Sequence, residues 1–321
     1  MTSRKKRIFR IVEWVSSILL FMLVSFIFYT TIPVKTTSTL YIPHGSVSNI
    51  ITQLSKKGYA LTPVDTYLLV MMGKPQSGWI TIGQNRLNRI DFLHKIISGK
   101  AQMVKVTLVP GETAVLFLGE LAAELSLDKD KLQRYYGRYS DFKEAGIFAD
   151  TYFVPRGIRE KHLILFLTSQ TDKKYREISI KVYGTYDRKN WNRLLTVASI
   201  IQKEAANDKE MPLISSVIYN RLKKRMALQM DGSLNYGIYS HTKITPERIE
   251  SDRSRYNTYR YKGLPPHPVC AVSFTAIKAA MKPARTKYLY FMKNSEGTHD
   301  FSETFSAHKK NIRKVKKQSK Q

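Results

Sequence analysis

Apolar and polar residues follow each other along the chain with the periods of short strands and amphipathic helices. A strand, a Pro-Gly turn and an amphipathic helix are predicted twice, with strands at 40–42 and 106–109 and helices at 46–54 and 112–125. Because strand-like and helix-like periods are mixed throughout, the pattern predicts an α+β fold.

The most regular helical pattern lies in the second half of the chain. Apolar positions spaced by about 3.6 residues predict one helix from 191 to 204 and a second at about 209–224, with Pro212 in its first turn. The weaker patterns indicate a strand at 79–82, short helices at 91–98 and 275–281, and strand or turn pieces at 148–154 and 178–183. The centre of a catalytic domain would therefore be helix-rich.

The N-terminus carries an apolar run that is long enough to cross a membrane. Residues 15–32 are uncharged, and the predicted span of 11–33 is near the roughly 20 residues that cross a hydrocarbon core. The basic segment 1–10 precedes it, which predicts a cytoplasmic N-terminus and a single-pass anchor in the inner membrane, with the remainder on the outer, periplasmic face. The alternative is a cleaved signal peptide, but the run is longer than a usual apolar h-region.

Composition narrows the class of partner. Lys and Arg total 53 against 25 Asp and Glu, and the net charge of +28 favours nucleic acid, acidic lipid or an anionic wall polymer. An exported location favours the wall and the membrane, so no nucleic acid partner is predicted. The single cysteine, Cys270, excludes an intrachain disulfide framework and a multi-cysteine metal site. The basic end of the chain, 313–321, is interpreted as a solvated tail.

One carboxylate stands on a helix face where an apolar residue is expected. Glu204 continues the stripe that contains Ile200 and Ile201. Partial desolvation raises the pKa of such a carboxyl group, and an acid that is protonated near neutral pH can protonate a leaving oxygen. From this helix alone, a boundary glutamate that pairs with a cation is the more frequent case. Polar, amide and aromatic residues typical of a sugar site follow it: Asn220, Gln229, Asp231, Tyr256, Asn257 and Tyr259.

A series of short motifs accompanies this glutamate. They are ASIIQKEA at 198–205, VIYNRL at 217–222, MALQMD at 226–231, YNTY at 256–259, GLPP at 263–266, YLYF at 288–291 and HDF at 299–301. In order and approximate spacing they resemble the MltG (YceG-like) family of endolytic murein transglycosylases, from about residue 38 to 312. The resemblance also includes Tyr236 as a site residue, at the place where the family has a tyrosine after the motif at 226–231.

The resemblance implies an organisation and an activity. It implies a LysM-like module at 39–107 and a YceG-like catalytic domain at 108–312. It implies cleavage of nascent peptidoglycan between N-acetylmuramic acid (MurNAc) and N-acetylglucosamine (GlcNAc), which leaves 1,6-anhydroMurNAc ends and terminates glycan elongation. The family's catalytic glutamate falls on Glu204, acting first as acid and then as base. No cofactor and no metal are implied, and peptidoglycan synthases are expected partners.

The chain departs from the family pattern at a few positions. Relatives often have Glu where this chain has Gln202, an NPG element where it has 271–273, and FPDTY where 148–152 reads FADTY. Two alternatives therefore stay open. One is a non-catalytic peptidoglycan-binding scaffold, and the other is a hydrolytic muramidase that uses Glu204 with a second carboxylate such as Asp231.

Overall fold

The computed structural model of the protein describes residues 3–37, 39–99 and 102–318. The basic segment 1–10 and the basic tail 313–321 therefore lie partly outside the described residues. The chain divides into two compact units. The first comprises Met1–Val104 and Phe153–Ile158, and the second comprises Lys105–Tyr152 and Arg159–Gln321.

The first helix is apolar over most of its length. Helix α1 spans Ser3–Thr31. Its 23-residue segment Phe9–Thr31 contains an 18-residue window with a mean hydropathy of 2.3, and no residue of that window is buried. By length and composition this segment could cross a membrane, and a signal sequence would have the same properties.

The first unit combines short antiparallel ribbons with three further helices. Its strands are β1 (Pro33–Lys35), β2 (Thr39–Ile42), β3 (Gly78–Thr81) and β4 (Arg86–Asn88), and its helices are α2 (Val47–Lys56), α3 (Pro63–Met72) and α4 (Arg89–Ser98). Strand β1 pairs with β4 and β2 pairs with β3, both antiparallel. Their inner faces share a core with Leu54, Leu69, Phe92 and Leu93.

Local sequence signals explain where these helices begin. Ser46 precedes α2 and its Oγ accepts the backbone N–H of Asn49 at 3.3 Å, so the predicted start of this helix is confirmed. The apolar periodicity does not predict helix α3, because its sequence is apolar on nearly every face. Its start is nevertheless marked, because Pro63 takes the first position and Asp65 accepts the N–H of Thr62 at 2.7 Å.

The second unit is dominated by helices. In chain order the remaining elements are β5 (Met103–Thr107), α5 (Ala114–Leu125), α6 (Lys129–Tyr139), β6 (Thr151–Pro155), α7 (Glu160–Tyr183), α8 (Arg188–Glu204), α9 (Met211–Lys223), two 3-10 turns (Asp231–Leu234 and Gly237–Tyr239), α10 (Pro246–Ser251), α11 (Phe274–Met281), β7 (Tyr290–Lys293), β8 (His299–Ser302) and α12 (Phe305–Gln318). Strand β5 pairs with β6, and β7 pairs antiparallel with β8. Residues 103–104 of β5 and 153–155 of β6 belong to the first unit, and the other residues of these strands belong to the second. The prediction of a mixed α+β fold is confirmed.

Helix α8 lies at the centre of the second unit. It packs against α9 and α11, and Trp191, Leu195 and Ile200 on it are buried in the largest apolar cluster. Asp187 caps its start, because its Oδ1 accepts the N–H of Asn190 at 2.7 Å. The helix ends at Glu204, so core packing fixes where this carboxylate stands.

The structure differs from the sequence prediction at two places in this unit. The strand or turn interpretation of 178–183 is wrong, because these residues form the last turns of α7, which Gly184 ends in a left-handed conformation. The tail from 313 to 318 belongs to α12, whose less exposed residues include Ile312 and Val315. The segment is amphipathic, and its helix packs against β7 and β8. This packing explains why the basic segment is helical.

A buried ion pair joins α3 to α4 and gives a test of the first unit. Asp65 and Arg89 are separated by 2.6 Å, and their side chains are 0% and 4% exposed. Replacing Arg89 with Met leaves the carboxylate buried without its partner, so we expect a loss of about 3–5 kcal/mol in the stability of this unit. Hydrogen exchange of α2 to α4 would measure it. The matched control is Arg176→Met, which breaks the exposed pair with Asp172 in α7 and should leave the hydrogen exchange of α7 almost unchanged. Equal effects of both substitutions would contradict the prediction.

Candidate active site

Glu204 stands at the exact end of the buried helix α8 and is itself half-buried. Ala205 follows it in extended conformation and turns the chain away from the helix axis. The preceding helical residues are fixed by the core, whereas the carboxyl group extends past the last turn toward the segment 229–233. This position follows from the apolar stripe that the sequence shows, because the stripe decides which face of α8 is inside.

A backbone N–H holds one oxygen of this carboxyl group. Gly232 donates its N–H to Glu204 Oε1 at 2.7 Å. The two segments approach so closely that a Cβ at position 232 would lie 2.5 Å from the Cβ of Lys203 and 3.0 Å from Glu204 Oε1. Glycine therefore allows this contact at the observed distance. Because Oε1 is an acceptor here, the proton of the neutral acid would lie on Oε2.

The surroundings raise the proton affinity of Glu204. Desolvation by burial raises the pKa of its carboxyl group to about 7, and the negative charge of Asp231 acts in the same direction. The Gly232 N–H and the guanidinium of Arg221 oppose this increase, but they do not outweigh it. A carboxyl group with this pKa can both give and take a proton near neutral pH.

Asp231 and Tyr259 face each other beside Glu204. The Tyr259 hydroxyl donates to Asp231 Oδ1 at 2.6 Å, and the aspartate is exposed. Burial of the ring, and then the hydrogen bond to Asp231, raise the pKa of the Tyr259 hydroxyl well above its usual range. The structure thus brings three predicted site residues together, with a second carboxylate within electrostatic reach of the first.

The segment that supplies Gly232 is held by the YNTY loop. Thr258 is buried, and its Oγ1 accepts the N–H of Met230 at 3.0 Å. Its carbonyl oxygen accepts the N–H of Gln229 at 3.1 Å, and its hydroxyl also bonds Ser233 at 2.9 Å. Two motifs that are distant in sequence therefore act as one unit that positions the N–H opposite Glu204.

Arg221 holds the backbone beside the site in place, and it is not among the site residues predicted from the sequence. Its buried guanidinium donates to the carbonyl oxygens of Leu228 at 2.5 Å and Leu289 at 2.6 Å. Its positive charge also lowers the pKa of Glu204. A signal was present, since Arg221 follows Val217 by four residues on the apolar face of α9.

Two aromatic rings stack on each other near the second 3-10 turn. Tyr236 stacks on Tyr256 with ring centroids 4.4 Å apart and an interplanar angle of 15°. Tyr239 contacts the edge of Tyr236, and the Tyr236 hydroxyl donates to Asp252 at 3.2 Å. Burial, and then the charge of Glu144, raise the pKa of Tyr256 to about 12. Such rings can cover the C–H faces of sugars.

The three amide residues of the predicted site have different positions. Asn257 is fully buried, and its amide bonds the backbone of Ile249, Asp252, Tyr259 and Arg260. Asn220 donates from its Nδ2 to the carbonyl oxygens of Thr286 and Tyr288, each at 2.9 Å. Gln229 is exposed, with a left-handed φ of 49°. These contacts give Asn257 and Asn220 a structural role, and direct contact with a substrate stays a prediction.

A second pair of carboxyl groups, Glu112 and Glu144, lies at the start of α5. The sequence did not predict this pair either. Glu144 is buried and its Oε2 accepts the N–H of Ala114 at 2.8 Å, while Glu112 accepts the N–H of Thr113 at 2.6 Å. Burial, reinforced by the charge of Glu112, raises the pKa of Glu144 to about 8. Glu112 also bonds His241 at 2.7 Å. Neither glutamate follows a periodic pattern, so only the fold brings them together.

The departures from the family pattern are accommodated by packing. Ala271 and Val272 are buried, and the backbone of Ala271 bonds Gly111 and Glu112 at 2.9 and 2.7 Å. The amide oxygen of Gln202 accepts the N–H of Ser273 at 3.1 Å. Within 3–37, 39–99 and 102–318, no cluster of three or more His, Cys, Asp or Glu side chains could hold a metal ion.

The chain is similar in sequence to known proteins. A region of the chain is 38% identical over 135 residues to an endolytic murein transglycosylase of Bacillus subtilis (strain 168), covering 41% of this chain and 37% of that protein. A second relative of the same description, from Streptococcus pneumoniae (strain ATCC BAA-255 / R6), is 31% identical over 177 residues, covering 53% of this chain and 31% of its own length. The matches thus span about a third of the length of these relatives.

The fold has a solved counterpart. The crystal structure of a YceG-like protein from Listeria monocytogenes superposes with a TM-score of 0.57 and 24% sequence identity, covering 85% of this chain and 97% of that one. Residues 40–314 match the profile described as the YceG-like family, which is most of the chain. The protein therefore belongs to the YceG-like family.

Proposed function

We propose that this protein is a membrane-anchored endolytic peptidoglycan lytic transglycosylase. It would cleave the MurNAc–GlcNAc linkage inside glycan strands and leave 1,6-anhydroMurNAc ends. Family membership and the similarity to two endolytic murein transglycosylases support the reaction class. The observation that carries the proposal is the carboxyl group of Glu204, whose pKa of about 7 allows it to act as an acid and then as a base.

In the first step Glu204 gives up its proton. The Oε2 proton is transferred to the glycosidic oxygen as the bond from C1 of MurNAc to that oxygen breaks. The Gly232 N–H on Oε1 and the nearby Arg221 charge favour the carboxylate that forms. These two groups therefore stabilise the carboxylate more than the neutral acid, so they favour proton transfer as it proceeds.

In the second step the carboxylate takes a proton back. The C6 hydroxyl of the same MurNAc residue loses its proton to Glu204, and its oxygen forms a bond to C1. This closes the 1,6-anhydro ring and restores the neutral acid, so one carboxyl group completes the cycle. Asp231 would stabilise positive charge that develops at C1, and the stacked Tyr236 and Tyr256 would support a neighbouring sugar ring.

The remaining expectations concern location and partners. The apolar segment Phe9–Thr31 supports a membrane anchor. From the basic residues before this segment we infer that the anchor lies in the inner membrane with the catalytic unit on the outer, periplasmic face. The first unit, with its two antiparallel ribbons and α2 to α4, would serve as a LysM-like module that grips or positions glycan. We infer a role in cell wall organisation and in termination of glycan elongation, with peptidoglycan synthases as partners.

A hydrolytic muramidase is the second candidate. The exposed Asp231 near Glu204 favours it, because two carboxylates on either side of a glycosidic bond can recruit water. The two candidates predict different chemical ends. Hydrolysis leaves reducing MurNAc ends, whereas intramolecular attack leaves anhydro ends.

Product analysis tests the proposed reaction. The full chain in detergent or vesicles is incubated with purified glycan strands, and the products are separated and weighed by mass spectrometry. We expect internal cleavage with anhydroMurNAc ends, and a rate loss of at least about 10²-fold in Glu204→Gln, because the amide cannot donate the proton. The matched control Glu120→Gln, at an exposed position of α5, should retain the parental rate. Reducing ends would establish the muramidase instead, and strand binding without cleavage by the parent would establish the scaffold.

The pKa of Glu204 predicts the pH limit of the reaction. The acid must be protonated at the start of the cycle, so kcat should fall about tenfold per pH unit once the pH rises above the pKa near 7. Below that pH this group stays protonated and causes no loss. Rates measured from pH 5 to 9 would give the limit, and a rate that stays constant up to pH 9 would contradict the assignment.

Asp231→Asn separates an electrostatic role from a covalent or base role. In the lytic reaction the substitution removes a negative charge that raises the pKa of Glu204, so the limit of kcat should move to lower pH. The rate at pH 6 should fall by less than about tenfold, whereas removal of a required second carboxylate would cost more than about 10². Tyr259→Phe is the companion variant, since it removes the hydrogen bond to Asp231 and leaves the charge. An unchanged pH limit with a large rate loss would contradict the electrostatic role.

A further inference from the structure

Helix α3 exposes an apolar face that the core does not need. Val64, Tyr67, Val70 and Met71 are 49%, 74%, 61% and 84% exposed. At about 100° per residue these positions lie within an arc of roughly 120° on one side of the helix. The opposite side faces the core, with Leu68 and Leu69 buried. Contiguous exposed apolar surface of this kind marks an interaction site.

The start of α3 is attached to the end of the apolar helix α1. Tyr29, in the last turns of α1, shares a hydrogen bond between its hydroxyl and the hydroxyl of Thr62, the residue that precedes α3. The Arg89 guanidinium lies 4.4 Å from the centre of the Tyr29 ring and bonds the buried Asp65 of α3 at 2.6 Å. A ring, a cation and a carboxylate thus fix α3 relative to the point where α1 ends.

The attachment limits how far the exposed face can lie from the end of α1. Tyr67 follows Thr62 by five residues, so it stands about 7.5 Å further along α3 at about 1.5 Å per residue. A bilayer has an interfacial layer of roughly 5–8 Å on each side of its hydrocarbon core. Because Tyr29 lies close to the end of the apolar span Phe9–Thr31, the first turns of α3 are within reach of this layer.

The composition of the face suits that environment. Tyrosine is enriched at membrane interfaces, where its ring contacts lipid chains and its hydroxyl contacts water, and Val and Met can insert beside it. The face has no charged residue, since the one acidic residue of α3, Asp65, points into the core and pairs with Arg89. A lipid surface matches this uncharged strip better than an anionic sugar polymer does.

We propose that α3 lies in the interfacial layer of the membrane that α1 enters, with Val64, Tyr67, Val70 and Met71 in contact with lipid. This rests on the membrane anchoring in the proposed function. The first unit then has two attachments to the bilayer, the spanning helix and the α3 face. Two attachments hold this unit against the membrane surface, where nascent glycan would be made.

Site-directed fluorescence tests the proposal on the full chain. Cys270 is fully buried, so a thiol-reactive environment-sensitive dye reports on a single introduced cysteine. Dye is placed at Tyr67→Cys or Met71→Cys, at Thr52→Cys on the exposed polar side of α2 as the matched control, and at Leu20→Cys inside α1. The proteins are reconstituted in vesicles of phosphatidylethanolamine and phosphatidylglycerol that contain lipids with a quencher either near the headgroup or deep in the acyl chain.

We expect quenching at positions 67 and 71 by the shallow quencher, with blue-shifted emission, and several-fold less quenching at 52. Position 20 should respond to the deep quencher. Adding Tyr67→Glu to the Met71→Cys protein should reduce shallow quenching several-fold, because a charge does not remain in the apolar part of the interface. The exposed position of Tyr67 means that the fold does not depend on it.

Each other outcome overturns the proposal. Deep quenching at 20 without quenching at 67 and 71 would leave the anchor in place and remove α3 from the interface. A blue shift at 67 without lipid quenching would show that protein covers the face. Equal quenching at 52 would mean that the α3 face is not specific, and no quenching at 20 would refute the membrane insertion itself. Failure of glycan cleavage would change none of these signals, so the two proposals fail separately.

Discussion

The hydrogen bond between the Gly232 N–H and the carboxyl group of Glu204 is the contact on which the rest of the site depends. It joins the end of helix α8 to a 3-10 turn that comes 28 residues later. The contact leaves one carboxyl oxygen free for chemistry. Burial of the carboxyl group raises the pKa of Glu204 to about 7, although the Gly232 N–H itself opposes this increase. Without this approach of turn to helix end, Glu204 would be an ordinary surface carboxylate.

Much of the second unit can be understood as support for that approach. The core around Trp191 and Ile200 fixes where α8 ends. Thr258 holds the segment on either side of Met230, and Arg221 ties the same segment to the strand region through Leu228 and Leu289. The supporting groups bond mostly to backbone carbonyls and N–H groups. Their role is geometric, and it explains why short motifs from distant parts of the sequence meet at one carboxylate.

The proposed function gives the two units different roles. The first holds the end of α1 through Tyr29 and exposes the apolar face of α3, and we propose that it contacts lipid besides positioning glycan. The second holds the half-buried acid, the stacked tyrosines and the basic helix α12, which suit the anionic sugar polymer of the proposed function. The family assignment covers both units, since its profile begins at residue 40 and ends at residue 314.

Several properties of this protein were readable from its sequence. Periodic apolar residues determine α2, α5, α8 and α9, because local burial of one helix face needs only the right spacing. The apolar run of α1 and the glutamate on the stripe of α8 are local features of the same kind. Tertiary structure decided what spacing does not encode: the buried pair of Asp65 and Arg89, the contact of Gly232 with Glu204, and the meeting of Glu112 with Glu144. These contacts depend on which segments pack together. Because desolvation and charge act through space, the raised pKa of Glu204 exists only in the folded chain.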